Sequence, residues 1–342
     1  MITYQHLLKH PAALRSLTGY TRDDFGTLFR AFQAAHETRR AQTNTPRRRA
    51  PGAGRPTVCS LETQLVMALV WLRVYPTFAV LAFLFGLHES NAWRNVQDTL
   101  QTLQSLADFA FEKPARERKT LRSVEAVMDA FPDVVLVIDA KEQRTRRPKS
   151  DKDNDEHAQS RLSDFRKKPF YSGKKKTHTQ ENRWSRFLCL KNQVAVQPGG
   201  KIGAVSASVP GGANHDLRLL RESHLLDNLS EGEAAMMDKG YDGITKDYPG
   251  YALYLPHKAR RNRPLTPAQK AYNRLLSSYR IVVGHTNAQL NQYKALSQVW
   301  RNRRESHTGV FRVICSLVNG RIENCPLKRY PAQLSLLGAI AH

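Results

Sequence analysis

The sequence predicts an α/β protein with mixed strand directions, preceded by an all-helical region. Three observations predict it. Leu61 to Leu103 carries apolar residues at helical spacing, punctuated by Pro76 and Gly86. From Phe131 the pattern changes to short aliphatic runs, VVLVID and AAMMD among them, of the kind that form buried strands. These runs alternate with helical stretches and with the turn Pro198-Gly199-Gly200, an order that builds a mixed sheet.

Residues 1–57 read as an N-terminal helical segment and a basic linker, because RAQTNTPRRRAPGAGRPT mixes Pro, Gly and Arg and cannot pack a core. A helical domain over 58–125 follows. Leu61–Tyr75 is its first helix, Pro76-Thr77 ends that helix and starts a second through Phe85, and Gly86 supplies the turn. His88-Glu89-Ser90 caps a third helix with Trp93, Val96, Leu100 and Leu103 on one face, and Arg94, Asn95, Gln97 and Gln101 elsewhere. A short helix, a Gly turn and a helix offering amide and guanidinium groups meet the needs of a helix-turn-helix, with Arg94 and Asn95 as candidate base contacts. Three helices of any small bundle would give the same pattern.

A second domain over 130–330 opens with Val134–Ile138, a strand ending at Asp139, followed by a charged connection over 141–169 that is too polar to pack. Leu190–Gln197 and Lys201–Val209 form a hairpin. His215–Ser223 is a short helix, Ala234–Met237 a strand running into Asp238, and Tyr251–Leu255 another strand. Thr266 caps a long helical region, and Gly309–Arg321 is a last apolar segment.

Lys and Arg number 53 against 30 Asp and Glu, a formal net charge of +23. Such a field attracts polyanions, nucleic acid first, because phosphates release counterions to many Lys and Arg together. No aromatic-rich RNA-recognition motif accompanies it, which favours DNA over RNA. The four cysteines are scattered without a C-x-x-C pair, which argues against a zinc finger and against a disulfide framework. The N-terminus lacks an export signal, and the apolar stretch Leu65–Leu87 is broken by Arg73 and Pro76 into pieces too short to cross a bilayer. A reducing cytoplasm is the expected setting, with no membrane partner.

Asp139 and Asp238 each close a strand beside a bend, where a rigid carboxylate at a sheet rim is accessible to a hard cation. Paired acids in a strongly basic chain point to phosphodiester chemistry, in which two ions about 3.5–4 Å apart hold the attacking and leaving oxygens. Two aspartates are few for that task, and a third acid is wanted.

The stretches LVIDA, PFYSGKKKTHT, LKNQVAV, ANHDLRLLRES, MMDKGYDGI, LTPAQKAYNRLLSSYRIVVGH and SLVNGRI together resemble the DDE transposases of bacterial insertion sequences. The resemblance covers about residues 58–325 and is to the branch that places a helix-turn-helix before a ribonuclease-H-like endonuclease and is related to the eukaryotic Harbinger proteins. It implies a ribonuclease-H-like mixed sheet flanked by helices, DNA strand transfer at terminal inverted repeats into target DNA, and Mg²⁺ or Mn²⁺ as cofactor. A homo-oligomer, at least a dimer, and a nucleoid-associated bacterial setting are implied with it. Asp139 matches the first acid and Asp238 the second. The third does not match: where the family reads R-x-x-V-E-H, this chain reads Arg280-Ile281-Val282-Val283-Gly284-His285. Gly284 stands in the place of the metal-binding Glu, although Gly within a helix costs about 1 kcal/mol against Ala.

On helical spacing Arg280, Gly284, Asn287 and Asn291 form a polar stripe; alternatively Ile281–Val283 is a strand and GHTN a turn where Gly is at home. Residues 180–189, QENRWSRFLC, interrupt the run the family makes from H-T to LKNQ, and either lengthen a hairpin or distort the strand beside Asp139. Lys174, Lys175, Lys176 and His178 are candidates for a cationic lip that holds phosphates, and Lys239 and Arg280 for further DNA contacts. Asp216 reads as a helix cap or as a supplementary acid. Trp71, Trp93, Trp184 and Trp300 are expected as core or interface anchors. Loss of the third acid predicts severely reduced strand cleavage; the other reading is a non-catalytic DNA-binding protein, a decayed copy or a repressor of related elements.

Overall fold

The computed structural model describes residues 1–42, 59–106, 131, 133–146, 171–178 and 184–324 except 213, 228, 231 and 262, with the backbone alone for 171–188. Most of the basic linker and most of the charged connection lie outside the described residues, and residues 40–42 of that linker are helix. The chain forms two compact units: one is Met1–Asp108 with Leu290–Gln298 and Asn302–Asn324, and the described residues of the other fall within Phe109–Gln289 and Val299–Arg301.

The first unit is helical. α1 (Tyr4–Leu8), α2 (Pro11–Thr18) and α3 (Arg22–Gln42) precede α4 (Leu61–Val74), α5 (Phe78–Phe85) and α6 (Glu89–Ser105). Ser60 and Thr77 accept hydrogen bonds from the Thr63 and Val80 amides and so start α4 and α5. α4 is apolar all round because every residue from Leu65 to Leu72 is buried, as a central helix requires. Gly86 ends α5 with φ of 66°, the left-handed conformation that glycine adopts without strain, and the α5–α6 turn follows. The buried face of α6 is Ala92, Val96, Thr99, Leu100, Thr102 and Leu103, and Trp93 is 49% exposed. That corrects the expected face: the stripe is centred on Ala92, and Trp93 lies a hundred degrees round the helix from it.

The second unit carries a mixed sheet of seven strands among the described residues. β1 (Val134–Arg144) lies between β3 (Trp184–Val196), antiparallel to it, and β6 (Ala234–Met236), parallel to it. β2 (Tyr171–His178), β4 (Ile202–Val205) and β5 (Val209–Pro210) pair with β3, and β7 (Ala252–Tyr254) pairs parallel with β6. α7 (Asp216–Ser223), α8 (Pro267–Tyr279) and α9 (Ile281–Asn291) complete it. Leu136, Ile138, Ala195, Leu220, Leu226, Met237 and Ile244 form the core under α7.

Two sequence expectations change, and two open alternatives are decided. β1 continues past Asp139 to Arg144, since Lys141–Arg144 pair with Cys189–Asn192 of β3 and their polarity is satisfied there. Residues 184–189 extend β3 toward β2, so the additional segment lengthens the hairpin and the pairing of Asp139 with Val194 is regular. Ile281–Val283 is helix, the first of the two readings the sequence allowed. The apolar segment after Gly309 belongs to α11 (His307–Asn324), which together with α10 (Lys294–Ser297) joins the helical unit rather than the sheet. Phe311, Ile314 and Val318 are buried there, an added Cβ at Gly309 would collide with the Gln104 amide of α6, and the Tyr20 hydroxyl donates to the Leu317 carbonyl at 3.4 Å.

A cluster of rings at the sheet edge makes stability depend on alkaline pH. Phe131 packs on Tyr254 and Tyr279, with ring centroids 4.9 and 6.0 Å away. Burial, and then the Asp133 carboxylate, push both phenols up to about 12. In the unfolded chain they ionise near 10. The stabilising neutral form is therefore fully present below pH of about 10 and lost as pH rises through about 12. A melting temperature that falls over this window as tyrosinate absorbance rises, less so in Tyr279→Phe, is the expected result.

Candidate active site

The register places the two acids side by side. Val137 of β1 lies opposite Met236 of β6 in a parallel pair, so Asp139 and Asp238, each two residues farther on, lie level with each other where β6 ends. Asp139 remains within β1 opposite Val194. Asp238 caps the turn Lys239–Tyr241, its Oδ1 accepting the Lys239 amide hydrogen at 2.6 Å.

The helices after Thr266 close over this pair. The Thr266–Gln269 capping box and Pro267 start α8, which ends at Arg280 where α9 begins. Arg280 bridges the acids: Nη1 is 3.0 Å from Asp238 Oδ1 and Nη2 is 3.8 Å from Asp139 Oδ1. One helix face farther along, Asn287 Nδ2 donates to Asp139 Oδ2 at 3.1 Å. Gly284 falls between these two residues, and its amide bonds to the Arg280 carbonyl at 3.3 Å, so helical geometry runs through it. An added Cβ at 284 meets nothing within 4 Å. The position that would carry the third acid therefore has room for it, on the stripe whose neighbours already touch Asp139 and Asp238.

Two carboxylates this close repel, and the half-buried guanidinium offsets that repulsion. Its Nε and the Asn287 Oδ1 are buried without hydrogen-bond partners. Asn287 Oδ1 is thus an uncommitted hard oxygen beside two carboxylates, a donor set that suits one Mg²⁺-class ion keeping several waters. Among the described residues no group of three or more His, Cys, Asp or Glu stands together as a metal cluster.

Tyr241, three residues after Asp238, is buried, and Gln193 Nε2 donates to its oxygen at 3.0 Å. Burial and then Asp216, Asp139 and Asp238 push its phenol well above the usual range, so it stays protonated beside the acids. Asp216 is also buried, and its Oδ1 lies 3.0 Å from Lys191 Nζ. Sequence reasoning missed Lys191, Gln193 and Glu142. The signal was the polar triplet Lys191-Asn192-Gln193 inside an otherwise buried strand. Lys239 is exposed at the rim. Lys174, Lys175, Lys176 and His178 lie along β2, and their side chains, like that of Trp184, fall outside the described residues.

On the helical unit, Arg94 is exposed and Asn95 half-exposed on α6. They line a groove with Asn91, Trp93 and Gln97. Arg39 of α3 engages Asp98 at 2.8 Å, Gln101 and Thr102, which leaves the first two turns of α6 as the open part of its outer face. No helix among the described residues is long and apolar enough to cross a membrane.

A helix-turn-helix ahead of a ribonuclease-H-like sheet with two acids at one rim defines a DNA-processing endonuclease class. The model of the helix-turn-helix of DDE superfamily endonuclease matches residues 57–108, and that of DDE superfamily endonuclease matches residues 138–319. The chain is 30% identical over 251 residues to the probable transposase for insertion sequence element IS702 of Microchaete diplosiphon, covering 73% of this chain and 76% of that protein. No solved structure matches. The chain belongs to the DDE-type transposases of insertion sequences.

Proposed function

We propose that this protein binds terminal inverted repeats through the first turns of α6 and positions phosphodiesters at Asp139 and Asp238, with cleavage and strand transfer impaired by Gly284. The observation that supports it is the meeting of Asp139, Asp238, Arg280 and Asn287 at one sheet rim, with position 284 on the same helix face. Asp139, Asp238 and the Asn287 carbonyl oxygen would hold Mg²⁺ or Mn²⁺, which supplies Lewis-acid polarisation of the phosphate when bound. Lys239 offers a cation to the DNA backbone from the rim, and Lys174, Lys175, Lys176 and His178 extend that surface along β2. Arg280 holds the acids in register and offers its guanidinium to a phosphate oxygen. Pairing two transposon ends calls for at least a dimer, and the net charge fits residence on the nucleoid.

Gly284 also supports a second reading, a DNA-binding protein without cleavage activity that occupies the ends of related elements. A footprint on terminal-repeat DNA tests the binding half. Arg94→Ala is expected to weaken specific binding by about 1–3 kcal/mol and relax discrimination at one base pair, with little change in non-specific affinity. Equal binding to repeat and scrambled DNA by the unsubstituted chain would overturn it. Nicking by that chain, abolished in Asp139→Ala and Asp238→Ala, separates the enzyme from the occupying protein.

A further inference from the structure

Behind the acids lies a charged cluster closed to solvent. Lys191 on β3 is 4% exposed, and its Nζ lies 2.9 Å from the Asn214 carbonyl oxygen, 3.0 Å from Asp216 Oδ1 and 3.4 Å from Glu142 Oε1. Side-chain exposure of both carboxylates is 6%. Burying one cation and two anions is costly, and an apolar trio would fill the space more cheaply. The cluster is joined to the turn that carries Asp238 by two contacts. A Cβ on Gly240 would come within 2.7 Å of Asp216 Oδ2, so the turn rests directly on that carboxylate. Gln193 Nε2 donates both to the Asp216 carbonyl at 2.7 Å and to the Tyr241 hydroxyl at 3.0 Å, tying the end of the turn to the start of α7.

We propose that Lys191 is a positioning residue: by fixing the Asp216 carboxylate it sets the floor under residues 238–241, and with it the place of Asp238 relative to Asp139. Glu142 takes up the remaining attraction of the ammonium and holds it on the β1 side, across the strand pair Glu142–Lys191. Gly240 follows as a requirement, since a side chain there would strike a carboxylate that cannot move away. Asp216 accordingly acts through Lys191 and the turn, not as a further ligand. The consequence for metal binding rests on the reading of Asp139 and Asp238 as the metal-binding acids.

Amide hydrogen exchange and Mn²⁺ titration on the full chain test this with Lys191→Met, Lys191→Arg and Gly240→Ala. Lys191→Met and Gly240→Ala are expected to speed exchange at Lys239–Tyr241, with β3 and α8 unchanged, and to weaken Mn²⁺ binding by roughly 10-fold, the usual effect of losing an outer partner of a metal ligand. Lys191→Arg is expected to restore part of both. Should Lys191→Met not fold, Gly240→Ala, which removes none of the three charged groups and presses on the Asp216 carboxylate from the turn side, reads the same contact. Unchanged exchange at Lys239–Tyr241 in Lys191→Met, or in Gly240→Ala, overturns the proposal. Faster exchange in a chain that binds no Mn²⁺ upholds the positioning role while removing the metal reading of the acids.

Discussion

Gly284→Glu is expected to raise Mn²⁺-dependent nicking of terminal-repeat DNA by about 100-fold or more, the scale on which one preorganised group acts on a developing charge. The substitution needs no rearrangement, because the space beyond the 284 Cβ is open and the helix already runs through that residue. Arg280 and Asn287, on either side of it along one face, reach both acids, so a carboxylate at 284 is directed at the same place. Replacing Gly in a helix interior also stabilises the fold by roughly 0.5–1 kcal/mol. Against this, a third carboxylate beside Asp139 and Asp238 repels them until a cation is bound. The melting temperature of Gly284→Glu should therefore rise on adding Mn²⁺ more than that of the unsubstituted chain, by linkage of binding to folding. Gly284→Gln separates the effects: it keeps the helix gain and adds no charge, and should leave nicking at the background. Equal nicking by the unsubstituted chain and Gly284→Glu would contradict the account.

Asp216→Ala is expected to destabilise the sheet unit by about 2–3 kcal/mol, the cost of leaving a buried ammonium with one of its charge-assisted hydrogen bonds unmade. Lys191 would then face Glu142 at 3.4 Å and a carbonyl, with no second anion. Replacing all three members by apolar residues of similar volume, Glu142→Leu with Lys191→Met and Asp216→Leu, should cost far less, since no charge is left buried. Urea unfolding of the single and triple variants reads the difference. A single substitution no more damaging than the triple would mean that the cluster is solvated in solution and does not bear on the turn.

What the sequence made legible follows from how local each signal is. Thr266, Pro267 and Gln269 lie within one helical turn and fix the start of α8 among themselves. Asp139 and Asp238 were recognisable because each ends an aliphatic run, and the parallel β1–β6 register then places them together. Gly284 stood out against a helical background that would otherwise have favoured almost any other residue. The misses are non-local. Lys141–Arg144 looked too polar for a strand because their partners, Cys189–Asn192, lie more than forty residues away in sequence. Lys191 gave no sign of meeting Asp216, since the pairing depends on β3 passing beneath the start of α7. Trp93 lies one position from the buried Ala92, which a small side chain does not reveal in an apolar pattern, and α11 could not be allotted to a unit from its own apolar pattern.

The measurement closest to the central claim is a Mn²⁺ titration of the full chain and of Gly284→Glu, each repeated with Asp139→Asn and Asp238→Asn. Weak binding that either Asn substitution removes, tightened about 10-fold or more by Gly284→Glu, is the result this geometry predicts. Affinity unchanged by Gly284→Glu, or binding that survives both Asn substitutions together, would contradict the placement of position 284 opposite a cation-holding acid pair.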